Sequence, residues 1–208
     1  MPLTVSTSGL ERYLGITLNN FIEEVERQVD PDDIQSLEPL APAFAALSKD
    51  RDLLPNYFAK YVDSMLNSTV PVAYTPQSFV LGGGRKHFIR ANVWIPLRFA
   101  STLRSQEEKI FSYRQAHDHN FSFMTIGHFG PGYETDLWQY NPSTVQGLVG
   151  ERVELEPLGR EQLTLGRAIL FREKTDVHIQ LPPESLSISL NVMVLRSPSK
   201  LVSIFLRY

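Results

Sequence analysis

The spacing of apolar residues changes near residue 70, and that change limits what the chain can fold into. Before it, apolar side chains recur every three or four positions. Leu10, Leu14, Leu18, Phe21, Ile22, Val25 and Val29 form one stripe, which predicts a helix ending at the Pro31–Asp33 break. A short helix is expected over 42–47. A third is expected over 55–66, with Pro55 in its first turn, where a missing N–H costs nothing. After residue 70 the apolar residues fall into short runs, at 78–81, 87–95, 121–129, 135–140, 152–155, 168–171, 177–181, 186–195 and 202–206. Gly82-Gly83-Gly84, Gly130-Pro131-Gly132, Asn141-Pro142, Pro182-Pro183 and Pro198 separate most of these runs. Many short strands with such turns predict a mainly β fold, a double-sheeted jelly-roll β-barrel. The expected division is an N-terminal helical segment, 1–69, packed on a β-barrel domain, 70–208. The polar stretch 102–109 reads as a loop or short helix.

Length and composition narrow the classes of function. At 208 residues the chain is long for one β domain and short for two, so one domain with an added segment is expected. A net charge of -3 weighs against a nucleic-acid surface, which needs clustered Lys and Arg. The chain has no cysteine, which excludes disulfides, zinc knuckles and thiol nucleophiles and fits a cytoplasmic location. The first ten residues lack a basic start followed by an apolar run, so no signal peptide is expected. No apolar stretch approaches the roughly 20 residues that span a bilayer. The helical stripe must be buried, either on the barrel or in a homodimer interface, so a monomer or a homodimer is expected.

All five histidines, His87, His117, His119, His128 and His178, fall in the β part. His117-Asp118-His119 is the sharpest feature. On an extended strand, residues two apart share a face, so both imidazoles can aim at one point. Neutral imidazole suits iron, zinc, copper and nickel. The bland reading is a pair of surface or hydrogen-bonding histidines. His178, on a later strand, is the third ligand a barrel interior can supply. Asp118 points away from the pair. Glu134 follows the Gly130-Pro131-Gly132 turn, and hairpin counting places it opposite His128, which leaves it only a candidate fourth ligand. His128 has the wrong parity to join the pair, and Gly127 before it can mark a bulge.

Other residues are less specific. His87 and Arg90 lie on one strand with opposite parity and face opposite ways. The planar Arg90 guanidinium matches two carboxylate oxygens, although a lone strand arginine is usually solvated or salt-bridged. Gly82-Gly83-Gly84-Arg85-Lys86 lacks the ending of a phosphate loop and reads as a hairpin turn. Ser187, Ser189 and Asn191 alternate with apolar residues and line either a pocket or the solvent face of an edge strand.

Three segments carry a family resemblance. Phe88-Ile89-Arg90-Ala91-Asn92-Val93 is similar to the strand whose arginine holds the substrate carboxylate in the cysteine dioxygenase-like branch of the cupin superfamily. His117-Asp118-His119 with Glu134-Thr135 resembles that family's first metal motif. His178 followed by Ser187-Ile188-Ser189-Leu190-Asn191-Val192 resembles its third-ligand strand and partner. The resemblance covers roughly 78–195. It implies a cupin barrel holding non-haem Fe(II) on His117, His119 and His178, with O2 and an amino-acid-like or carboxylate substrate at the open positions. Arg90 and Asn191 would then be catalytic, and Arg90, Ser187 and Ser189 would bind substrate. The branch's crosslinked cysteine cannot exist here, and Asn191 stands where a further histidine is common, so thiol oxidation in particular lacks support. The alternatives are a zinc- or manganese-dependent isomerase, epimerase or lyase, and a non-enzymatic ligand-binding cupin. Nickel is a further candidate metal.

Overall fold

A computed structural model describes residues 3–67, 77–97 and 104–196. The chain opens with strand β1 (Leu3–Val5) and a 3-10 turn at Leu10–Tyr13. Helix α1 (Leu18–Gln28) begins at Thr17, whose hydroxyl accepts the Asn20 N–H at 3.2 Å. The single helix expected from Leu10 to Val29 is therefore split. Gly15, with φ 81°, takes the left-handed conformation that stops the first piece, and the Thr17 cap starts the second. A 3-10 stretch at Ile34–Leu40 runs into helix α2 (Ala41–Ser48), and helix α3 (Leu53–Asn67) follows.

Strands β2 (Ser78–Gly83), β3 (His87–Trp94), β4 (Phe123–Phe129), β7 (Ala168–Phe171) and β9 (Ser187–Val194) join β1 in a six-stranded sheet of order β1-β7-β4-β9-β3-β2. Strands β6 (Glu156–Gln162), β5 (Glu134–Gln139) and β8 (Asp176–Gln180) form a three-stranded sheet in that order. Every ladder is antiparallel. The two antiparallel sheets agree with the double-sheeted part of the expected jelly-roll barrel, but its closure is not seen. Among the described residues no ladder joins the two sheets, and isolated bridges tie only connecting segments to their strands, Tyr113 and His117 to β8 and Leu165 to β4. The strand expected at 152–155 lies instead at Glu156–Gln162. Val153 and Leu155 are exposed, so the apolar run there marked no buried strand. The polar stretch near 102–109 holds helix α4 (Arg104–Ile110). The strand expected at 202–206 lies outside the described residues.

The large sheet has two unlike faces, which follow from strand alternation. Ile89, Ala91, Met124, Ile126, Ala168, Leu170, Leu190 and Val192 form its outer face, all buried against the helices. There Phe21 of α1 stacks on Phe44 of α2 with ring centroids 5.0 Å apart. Each of the larger side chains there, the alanines aside, contributes about 1.5–3 kcal/mol by leaving water. The inner face faces the small sheet. Trp94, Phe123, Ile169, Phe171 and Met193 pack there with Phe111, Tyr113, Tyr133, Leu137 and Leu163. Where the outer face buries His87, the inner face buries five polar strand residues, Asn92, Thr125, Ser187, Ser189 and Asn191, opposite Thr135, His178 and Gln180 of the small sheet. Polar groups are costly to bury, so this asymmetry locates the chamber between the sheets as the chemical part of the fold.

Candidate metal centre

The segment leading into β4 carries His117 and His119. It is not a ladder strand, although the face shared by His117 and His119 is the one expected from strand alternation. It meets β8 through single bridges, Tyr113 with Gln180 and His117 with His178. The second is a reciprocal antiparallel pair: the His117 N–H donates to the His178 carbonyl at 3.2 Å, and the His178 N–H returns to the His117 carbonyl at 3.0 Å. Directly paired residues share a face, and His119 lies two positions on, so all three rings turn to one side. The Lys174 N–H fixes the far end by donating to the His119 carbonyl at 2.8 Å.

The three rings converge through their Nε2 atoms. His117 Nε2 lies 2.9 Å from His178 Nε2, and His119 Nε2 lies 3.4 Å from it. The three donor atoms all lie within 4.8 Å of one another. Ligand nitrogens about 2.0–2.1 Å from one ion are separated by about 3.0 Å at right angles and about 3.4 Å at tetrahedral angles. The two short edges match ligands of a single ion. His117 Nδ1 lies 2.9 Å from the Gln115 carbonyl. A carbonyl only accepts, so that nitrogen carries the proton and Nε2 presents its lone pair. Burial pushes the pKa of both His119 and His178 well below the ordinary histidine value. Mutual repulsion among the rings adds to this, as does the Arg90 charge for His119. Phe121 and Phe123 lie against His119, and Phe171 lies against His178, forming the apolar collar that causes this desolvation. A cluster of three histidines that could hold a metal ion is thus present, with His119 and His178 kept neutral by burial.

Asp118 turns to the outside, where its carboxylate accepts the Tyr140 hydroxyl at 2.6 Å. Burial, with the carboxylate beside it, holds that hydroxyl protonated. This bond pins the short segment between its two histidines. Tyr140→Phe is expected to weaken metal binding by about tenfold, the low end for residues that orient ligands, with little change in melting temperature. Metal titration in competition with a chelator checks it, and unchanged affinity would remove the pinning role.

The remaining expected site residues divide clearly. Arg90 lies on the inner face with Phe88 and Trp94, paired in register with Asn191, which pairs in turn with Thr125. Thr125 Oγ1 donates to Asn191 Oδ1 at 2.9 Å. Ser189 Oγ accepts the Trp94 indole N–H at 3.0 Å, and Ser187 Oγ accepts the Gly132 N–H at 3.1 Å. Strand β9 is central in its sheet, so the solvent-edge reading of Ser187, Ser189 and Asn191 is overturned. Glu134 does not join the histidines. It is exposed and ion-paired with Arg160 at 3.3 Å, because Thr135, the next residue, takes the inward position. His128 points to α2, with Nδ1 2.7 Å from the Ser48 carbonyl, beside a register shift between Gly127 and Phe129. His87 is buried on the outer face, 3.3 Å from Glu26.

Sequence reasoning missed Tyr133, Thr135 and Gln180. Tyr133 is buried between the sheets, with Gln180 Nε2 3.4 Å from its hydroxyl, and burial pushes its pKa up to about 12. Only the pairing of β5 with β8 reveals the direction of Thr135 and Gln180, and that pairing is non-local.

No family model matches the chain, and no curated protein matches it in sequence. Solved structures do. A hydroquinone 1,2-dioxygenase from a Sphingomonas strain is 13% identical, with a TM-score of 0.36, over 59% of this chain and 68% of that one. A cupin domain from Bordetella pertussis is 12% identical, with a TM-score of 0.32, over 62% and 98%. A vicilin from Solanum melongena is 8% identical, with a TM-score of 0.32, over 62% and 31%. Likenesses this distant carry no functional argument. Among the described residues no helix is long and apolar enough to cross a membrane.

Proposed function

We propose that this chain is a cupin-type metalloprotein, a non-haem Fe(II)-dependent oxygenase acting on a small carboxylate substrate. The observation that carries the reading is the convergence of three Nε2 atoms at separations that suit one ion, beside a buried polar chamber. The donor set fits the group: three neutral nitrogens leave the charge of Fe(II) uncompensated and so favour an anionic substrate. Bound iron supplies the position at which O2 and substrate are brought together. The chain's own residues do the rest. Arg90, on the inner face of the large sheet and close enough for its charge to act on His119, binds and orients a carboxylate. Phe121, Phe123 and Phe171 keep water from the rings. Tyr133 keeps its proton at neutral pH and is a hydrogen-bond donor in the chamber. In this reading 1–69 is a helical cover, 70–208 carries the site, and the protein works in the cytoplasm.

The same donor set favours a second reading. Three histidines with an open fourth position also suit zinc, which would act as a Lewis acid in an isomerase or lyase. Metal content decides between them. Protein purified without chelator and tested for oxygen uptake should contain iron and consume O2 with a carboxylate substrate. Tight zinc without oxygen uptake would sink the oxygenase. Arg90→Ala is expected to raise KM at least tenfold with metal content intact, and an unchanged KM would remove Arg90 from the site.

A further inference from the structure

The small sheet places an unused hydroxyl beside the candidate metal centre. In the ladder of β5 with β8, Leu137 is directly opposite His178 and Thr135 is opposite Gln180. Thr135 and Gln180 therefore share the inward face of His178, one step along the strands. Thr135 is 1% exposed, and its Oγ1 is buried with no hydrogen-bond partner. Leaving such a group unpaired costs about 1–3 kcal/mol, and a native fold rarely retains one without use. Gln180 is also buried, and its amide nitrogen makes one long contact, to the Tyr133 hydroxyl at 3.4 Å. Both residues are neutral.

The charges around them narrow the ligand. Asp176 shares the inward parity of His178 and is held by Arg172 at 2.6 Å. Glu161, in register with Thr135, is ion-paired with Arg167. Among the described strand residues facing the chamber, each carboxylate is thus already matched by an arginine. The inner face of the large sheet adds the Arg90 guanidinium, which is not without interactions of its own, and a row of uncharged polar groups. Among the described strand residues an ammonium there would find no carboxylate that an arginine does not already hold, and a desolvated charge is the expensive case. An uncharged oxygen would meet the Thr135 hydroxyl and the Gln180 amide without that cost.

We infer that the site takes a small carboxylic acid whose second polar group is an uncharged oxygen, a hydroxyl or oxo group, and that Thr135 and Gln180 read it. This rests on the metalloprotein reading above and separates its acid substrate from an α-amino acid. Thr135 is a specificity-determining residue in this account. The test uses the full-length, zinc-loaded protein and calorimetric titration with two matched sets of probes. The first is lactate, pyruvate, alanine and propionate; the second is phenyllactate, phenylpyruvate, phenylalanine and phenylpropionate. Metal content is measured before and after each titration. Within a set, the hydroxy or oxo acid should bind at least tenfold more tightly than both the amino acid and the unsubstituted acid. Thr135→Val should erase that preference while keeping the metal, and Thr135→Ser should restore it. Equal or tighter binding of the amino acids overturns the inference, as does a preference that survives in Thr135→Val, or no binding by any probe to metal-loaded protein. A protein that takes up no metal fails the parent reading instead, and the metal assay alone reveals it.

Discussion

Replacement of His178 by alanine is expected to abolish metal binding, with a loss of about 3 kcal/mol or more, roughly a hundredfold or greater in affinity. His178 is the hub of the cluster: its Nε2 is the atom 2.9 Å from His117 and 3.4 Å from His119, so its removal separates the other two donors. His117→Ala and His119→Ala should each weaken binding strongly while leaving a pair of imidazoles. Elemental analysis after dialysis, with circular dichroism to confirm folding at neutral pH, checks all three. Full metal retention in any folded variant would end the three-ligand reading. His128→Ala is the control, because that ring faces Ser48 on the opposite side of the large sheet and should leave metal content unchanged.

The second large effect concerns pH. The metal-free protein should lose stability as pH falls below about 6.5, the histidine value in an unfolded chain. The sign follows from proton counts. In the native state burial holds His178 and His119 neutral well below that pH, while the unfolded chain takes up protons there. The unfolded state binds more protons, so stability rises with pH and falls on acidification. The slope for fully buried His178 alone is about 1 kcal/mol per pH unit, and it ends once the native ring itself protonates. Melting temperatures measured between roughly pH 5.5 and 7.5 should show the fall, and His178→Gln should flatten it. Metal steepens the trend, because the ion binds only unprotonated rings. A melting temperature that rises on acidification would contradict the buried, neutral histidines.

Much of the site was legible because local parity carries it. His117 and His119 share a face by their spacing, Asp118 leaves it, and Arg90 and His87 part to opposite faces for the same reason. The helices at 42–47 and 55–66 were legible from composition and periodicity, and the structure extends each by a residue or more. What was hidden depends on non-local pairing. Glu156–Gln162 is an edge strand whose side chains are mostly exposed, so no buried pattern marks it. Thr135 and Gln180 look like ordinary polar residues until the small sheet turns them inward. The two sheets also remain unjoined by any ladder among the described residues, which a list of strands cannot reveal.

That open seam gives the histidine cluster a mechanical meaning. His178 belongs to the small sheet, and His117 and His119 lie on the segment feeding the large one, 61 and 59 positions away along the chain. An ion between them would be a rivet across a joint that the backbone holds by single bridges rather than a ladder. It would close a loop of that length and remove freedom from the unfolded chain much as a covalent staple does. Loading the metal would then stiffen the architecture as well as equip it, and the amides of the small sheet should exchange with solvent more slowly in the loaded protein.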